Sequence, residues 1–397
     1  MSDLSIDIIP RFVDQLVSTI LDELGRDGVR AVFAGGSVAR GEISYCAADS
    51  GVDIYSDVDL YVVVGDGVDL EDARRRARDV TTGVPLVGDG YRFYRQPDIG
   101  VYTFEDLAAQ PARPGTVGLD EHHLILHGDP DVPIQAAARI GNNIAVEESL
   151  YLLENRLIEL AVLQSRLRRL LRDVSPDNQR NELTSGYYAF TVCKTGVDVA
   201  SAALIAHGDY VASRKDRLRR LAAMGTGSGS AWAEVRFDAV TRCGDALDRL
   251  PSSDWAQGFA SDAMAAEVVS LALAVWRRIA SGLFDVEADD WSAMVLKRCH
   301  TGEYIGNFRQ FRAMTARCGF KRRGALAAGV HLSRYSPIDA LRLSAILEYL
   351  HRDEGLRPQM TALSQTLGPF LERLTAGCGF SEGSLEERAY AMYRATQ

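Results

Sequence analysis

The stretch SDVDLYVVV, Ser56 to Val64, sets two aspartates one residue apart at the mouth of an apolar run. A strand continuing through Leu60, Tyr61, Val62, Val63 and Val64 has no use for Asp57 and Asp59 in its core. Side chains at i and i+2 of a strand point to the same side, so the two carboxylates stand together and repel. A positive group is needed to hold them there.

The surroundings read as an α/β domain. Residues 6–25 carry apolar groups at helical spacing (Ile9, Phe12, Val13, Leu16, Ile20, Leu21, Leu24), with Gly25 as a stop. VRAVFAGGS is a short buried strand ending in a glycine turn, DLYVVV a second strand and LEDARRRARDV a helix. YRFYRQPDIGVYTFEDL holds one or two strands, and HHLILHG another. Strands mixed with helices over residues 1–130 make an α/β domain.

After Ile144 the texture changes. AVEESLYLLENRLIELAVLQSRLRRLLRD and TSGYYAFTVCKTGVDVASAALIAHG are long helices, and nearly everything beyond them reads as helix with short breaks. Trp255, Trp276 and Trp291 fall inside apolar stretches, as in a packed bundle. GTGSGS, Gly225 to Ser230, is the most linker-like stretch. TARCGF (315–320) and TAGCGF (375–380) read as two similar helix ends, not a solenoid.

Bulk properties narrow the function. At 397 residues, two or three domains are expected, and 47% hydrophobic with 25% charged residues is an ordinary globular composition. A net charge of −10 disfavours a dedicated nucleic-acid binder. Cys46, Cys193, Cys243, Cys299, Cys318 and Cys378 form no C-x-x-C pair, which argues against zinc or a disulfide framework. With no signal-like N-terminus and no apolar run near 18 residues, the expectation is a cytoplasmic protein without a membrane span.

Upstream of the aspartates lies AVFAGGSVARGE: a strand, then Gly35, Gly36 and Ser37, then a short helix. Glycines let a backbone approach a ligand, and the amides of a turn that opens a helix favour an anion. Downstream, PDIGVYTF places Asp98 at the start of another β-like run. A phosphate cradle, two acids on one strand and a third on a later strand suit two-metal phosphoryl or nucleotidyl transfer. Mg²⁺ is then the simplest positive partner for Asp57 and Asp59. A G-G-S alone is a common turn, and a D-x-D alone caps strands or binds structural Ca²⁺. Their order and the third acid carry the reading.

On these residues the chain resembles the DNA polymerase β-type nucleotidyltransferase superfamily. GGSVARGE…SDVDLYVVV is similar to the small-molecule and minimal nucleotidyltransferases, including the aminoglycoside enzymes. The resemblance implies an α/β + α architecture: a mixed-sheet catalytic domain at 1–140, a helical domain completing the nucleotide site at 141–225, and a C-terminal helical domain at 226–397 of unassigned role. It implies transfer of a nucleoside monophosphate, AMP from ATP being the expected pair, to a hydroxyl of a small molecule, with release of pyrophosphate. Gly35, Gly36, Ser37 and Arg40 would hold the triphosphate. Asp57 and Asp59 would bind two Mg²⁺ ions, with Asp98 as third ligand or general base. The spacing departs from the family: Ser37 to Asp57 is twenty residues against about ten, so ISYCAADSGVDIY, with Asp49 and Asp53, is expected as a loop or extended turn beside the site.

The resemblance also makes Lys194 and Lys215 candidate phosphate ligands. Against this, Lys194 has an i,i+4 partner in Asp198, and Lys215 reads equally as a solvated basic turn. Glu147, Glu148 and Glu182 are open alternatives for a base. Arg166, Arg168, Arg169, Arg172 and the run from Arg214 to Arg220 read as solvated faces or as a basic rim. His122, His123 and His127 read as structural or surface histidines. The second functional reading is a regulatory or toxin–antitoxin-like module modifying a protein or tRNA, with its C-terminal helices docking a partner or forming a homodimer.

Overall fold

The computed structural model describes residues 4–48, 51–88, 90–128, 143–172, 178–225, 232, 235–250 and 262–299, with single positions between 343 and 365. The helix ends expected at 315–320 and 375–380, the linker core at 226–230, Trp255, Cys318 and Cys378 lie outside the described residues. The chain divides into two compact units: Met1–Ala145 with His207–Thr226 and Thr241–Gly258, and Val146–Ala206 with Gly227–Val240 and Phe259–Gln397.

The first unit is mixed α/β. Its elements run α1 (Leu4–Leu24), β1 (Val29–Ala34), α2 (Gly36–Ala39), β2 (Tyr45–Ala48), β3 (Gly51–Ile54), β4 (Asp59–Val64), α3 (Leu70–Gly83), β5 (Val87–Gly88), β6 (Tyr91–Phe93), β7 (Asp98–Tyr102), α4 (Phe104–Ala108), α5 (Pro114–Glu121) and β8 (Leu124–Gly128). Helix α8 (Arg214–Gly225) also belongs to it.

Two four-stranded mixed sheets result, in the orders β7-β4-β1-β8 and β2-β3-β6-β5. In the first, β1 is antiparallel to β4 and β8, while β4 and β7 are parallel. The two central strands are apolar almost throughout because both faces are covered. One face packs Val32, Ala34, Leu60, Val62 and Val64 against the stripes of α1 (Phe12, Leu16, Ile20) and α3 (Ala73, Ala77, Val80). The other buries Ala31, Phe33 and Val63 with Leu107 of α4 and Leu119 of α5. Burial on both sides explains why DLYVVV does not alternate as a half-exposed strand would.

Helix α3 carries the crossover between the parallel strands. Asp69 caps it, accepting from the N–H groups of Glu71 (3.0 Å) and Asp72 (3.2 Å). The segment ISYCAADSGVDIY, expected as a loop or extended turn, instead holds β2 and β3, paired from Tyr45↔Ile54 to Ala48↔Gly51. YRFYRQPDIGVYTFEDL supplies one strand to each sheet.

The described part of the second unit is helical: α6 (Val146–Arg172), α7 (Asn178–His207), the start of α9 (Asp238–Arg249), α10 (Asp262–Phe284) and α11 (Trp291–Cys299). Its core holds a buried ion pair. Glu154 accepts from Arg298 Nε at 2.9 Å, from Arg298 Nη2 at 3.0 Å and from Trp276 Nε1 at 3.0 Å. Trp276 stacks on Trp291 with centroids 5.8 Å apart. One stretch, Gly186–His207, is by length and composition alone long and apolar enough to cross a membrane. Within this unit 83% of its most apolar window is buried, which accounts for that composition.

Candidate active site

Strand pairing assembles the site. Because β1 and β4 are antiparallel, the end of one meets the start of the other: Ala34 pairs with Leu60, and the Gly35 N–H donates to the Asp59 carbonyl at 3.0 Å. Because β4 and β7 are parallel, Asp98 stands opposite Asp59, and its N–H donates to the Val58 carbonyl at 2.8 Å. Neighbouring strands lie about 4.8 Å apart and present paired side chains on one face. Three segments far apart in sequence thus reach one end of one sheet.

The glycine turn lies directly on the second acid. Gly36 has φ +58°, and a Cβ built on it would overlap Asp59 Oδ2 and sit 3.0 Å from Asp59 Cγ. Both the backbone conformation and the space require glycine. Ser37 follows, its Oγ buried with no hydrogen-bond partner. Leaving such a group unsatisfied costs about 1–3 kcal/mol, and native structures rarely tolerate it without a reason. A phosphate oxygen or a cation at the Asp59 carboxylate would supply the missing partner, so these residues fit a metal-bound triphosphate.

Asp57 lies just before β4 and forms an ion pair with Arg95, whose Nη1 is 3.3 Å from Asp57 Oδ2. The chain therefore supplies one positive partner itself, where the sequence pointed to metal alone. Arg95 sits between β6 and β7, and nothing in the pattern YRQPD marks it out. Among the described residues no three His, Cys, Asp or Glu side chains converge into a metal cage. Mg²⁺ commonly takes one or two carboxylates and completes its shell with phosphate oxygens and water.

Around these acids the site is aromatic. Tyr102, on β7 with Asp98, stacks on Tyr61 at 6.2 Å. Burial first, and then the Asp98 carboxylate, push its hydroxyl above the ordinary tyrosine range. On β3, Asp53 is buried and Tyr94 Oη donates to it at 3.4 Å. Burial raises its carboxyl above the usual value, against the opposing pull of Arg92. Asp49 lies outside the described residues.

Arg40 follows α2, and its Nε donates to Glu42 Oε2 at 2.8 Å. The other Glu42 oxygen accepts from the Arg214 N–H at 2.8 Å, at the start of α8. Lys215, the next residue, is exposed in the first turn of that helix. Glu121 Oε2 accepts from the Ala212 N–H at 3.0 Å. Sequence reasoning named Arg40 and Lys215 but missed both glutamates, since a contact across 172 positions leaves no local signal.

Lys194 belongs to the second unit, where its Nζ lies 5.9 Å from the Phe190 ring centroid. Its suggested partner Asp198 accepts instead from Arg156 Nε, at 2.6 Å. Glu147 and Glu148 stand in the first turn of α6 in that unit. Glu182 is on α7, its side chain outside the described residues, as are those of Arg166, Arg168, Arg169 and Arg172. Comparison with protein-family models, curated proteins and solved structures found no match to the chain.

Proposed function

We propose that the first unit is a polymerase β-like nucleotidyltransferase domain acting on the hydroxyl of a small molecule. The observation that carries this is the seating of the Gly36 turn on the Asp59 carboxylate, with the buried, unpartnered Ser37 hydroxyl beside it. A turn shaped for an anion and packed directly against a carboxylate suits a cation and a phosphate bound beside the pair. Sheet order supports the same reading, since it sets Asp59 between that turn and Asp98, with Asp57 two residues before it.

In this reading the Gly35–Ser37 turn and Ser37 Oγ hold the triphosphate of ATP. Asp57 and Asp59 would hold Mg²⁺, which when bound neutralises phosphate charge and the developing charge on the leaving oxygen. Asp98 takes the proton of the acceptor hydroxyl. The acceptor oxygen bonds to the α-phosphorus as the bond from that phosphorus to the β-bridging oxygen breaks. The products are the nucleotidylated acceptor and pyrophosphate. The acidic chain favours a small acceptor over a polynucleotide.

Titration calorimetry of the full chain with ATP and Mg²⁺, followed by mass spectrometry of a metabolite extract after incubation, tests the proposal. Binding, together with a metabolite heavier by one nucleoside monophosphate, is expected. Failure to bind any of the four nucleoside triphosphates with Mg²⁺ would overturn it. Adducts confined to protein or tRNA would transfer the activity to the macromolecular reading.

A further inference from the structure

Glu42 uses its backbone N–H and both carboxylate oxygens to hold its own turn and to tie it to a distant segment of the first unit. Its N–H donates to the Ser37 carbonyl at 2.9 Å, one carboxylate oxygen accepts from Arg40 Nε and the other from the Arg214 N–H, each at 2.8 Å. Its side chain is only 12% exposed and that of Arg40 16%. A carboxylate this enclosed needs both donors, because an unsatisfied buried charge is costly. A second tie lies beside it. Glu121 holds the Ala212 N–H, and Gly118 leaves room for both Arg40 Nη1 and Ala212 Cβ, which lie 3.4 and 3.6 Å from where its Cβ would be.

The partners decide what this bracket does. Ser37 carries the buried hydroxyl that lacks a partner, so the turn Glu42 grips is the one that points to a ligand. The Arg214 N–H opens α8, where a carboxylate meets the positive end of the helix dipole. Arg214 is itself held by Asp248 at 2.6 Å, which leaves the neighbouring Lys215 as the exposed cation of that turn. We infer that Glu42 is a positioning residue that fastens the start of α8 to the Gly35–Ser37 turn, so that Lys215 and the turn serve one triphosphate. The inference rests on the nucleotide reading above and adds to it a role for a residue that touches no phosphate.

The test isolates one hydrogen bond. Arg214→Ala keeps the backbone N–H that Glu42 accepts, whereas Arg214→Pro removes it at the first helical position, where proline is well tolerated. Each variant is made in the full chain with and without Lys215→Ala, and Mg·ATP affinity is measured by calorimetry. Arg214→Pro is expected to bind about tenfold more weakly than Arg214→Ala, and Lys215→Ala to cost about tenfold in the alanine background but under about threefold in the proline one. Glu42→Gln, with one acceptor oxygen for two donors, should behave like Arg214→Pro. Equal affinities for Arg214→Ala and Arg214→Pro, or a Lys215→Ala loss of the same size in both backgrounds, would make Glu42 a structural tie only and overturn the inference. A wild-type chain that binds no nucleoside triphosphate overturns the nucleotide reading and this inference together.

Discussion

Asp59 and Asp98 face each other across the parallel pair β4 and β7, each the first residue of its strand. Two carboxylates in that register repel unless a cation or a shared proton lies between them. With Asp59 as a metal ligand, Asp59→Asn should lower turnover at least about a hundredfold. With Asp98 as base, Asp98→Asn should lower turnover by about 10²–10⁴ while ATP still binds. Calorimetry beside steady-state rates separates the two. Normal turnover in either variant would remove that acid from the site.

The Gly36 turn predicts opposite signs for neighbouring substitutions. Gly36→Ala places a side chain at positive φ against Asp59 and should cost about 1–2 kcal/mol of stability as well as nucleotide binding. Ser37→Ala removes a buried hydroxyl that has no partner, so the ligand-free protein should be as stable or more stable. Its ATP affinity should fall about tenfold, the value of one hydrogen bond to a charged phosphate. Thermal melts with and without ATP check both.

Arg95 competes for Asp57. The pair is partly exposed, at 17% and 28%, so Arg95→Ala should change stability by less than about 1 kcal/mol. Without the guanidinium, Asp57 loses one positive neighbour that a cation would have to displace. Mn²⁺ titration followed by electron paramagnetic resonance, with no nucleotide present, should then show tighter binding than in wild type. Unchanged or weaker binding would mean that Arg95 and the metal do not share Asp57.

Asp53 predicts a pH dependence. Burial raises its carboxyl in the folded state above its ordinary value of 3.8. The folded protein therefore holds that proton more tightly than the unfolded chain, and Asp53 favours folding at low pH. This contribution is lost as pH rises through the raised value. Asp53→Asn cannot ionise, so its urea midpoint relative to wild type should increase between pH 4 and 7. A constant difference across that range would contradict the assignment.

The Glu154–Arg298 pair gives a control away from the first unit. Glu154 is fully buried and Arg298 7% exposed, so Glu154→Ala strands a buried guanidinium and should cost about 3–5 kcal/mol. Replacing both partners with apolar residues should recover much of that loss. Denaturant unfolding of the single and double variants measures the difference.

What the sequence determined by itself was local. Helical spacing from Ile9 to Leu24 gave α1, the apolar run after Asp59 gave a buried strand, and glycines before Ser37 gave a turn. Those signals repeat every two or four residues and survive without any distant partner. Tertiary structure alone decided the rest. Only strand pairing could seat Gly36 on Asp59 and put Asp98 in register with it. Likewise, only pairing could turn the insertion after Glu42 into half of a second sheet, because β2 and β3 are short and gain stability from β6 beside them. Arg95 on Asp57 and Glu42 on Arg214 were invisible for the same reason. A hydrogen bond across dozens of residues depends on where the chain returns, and no spacing along the chain encodes that return.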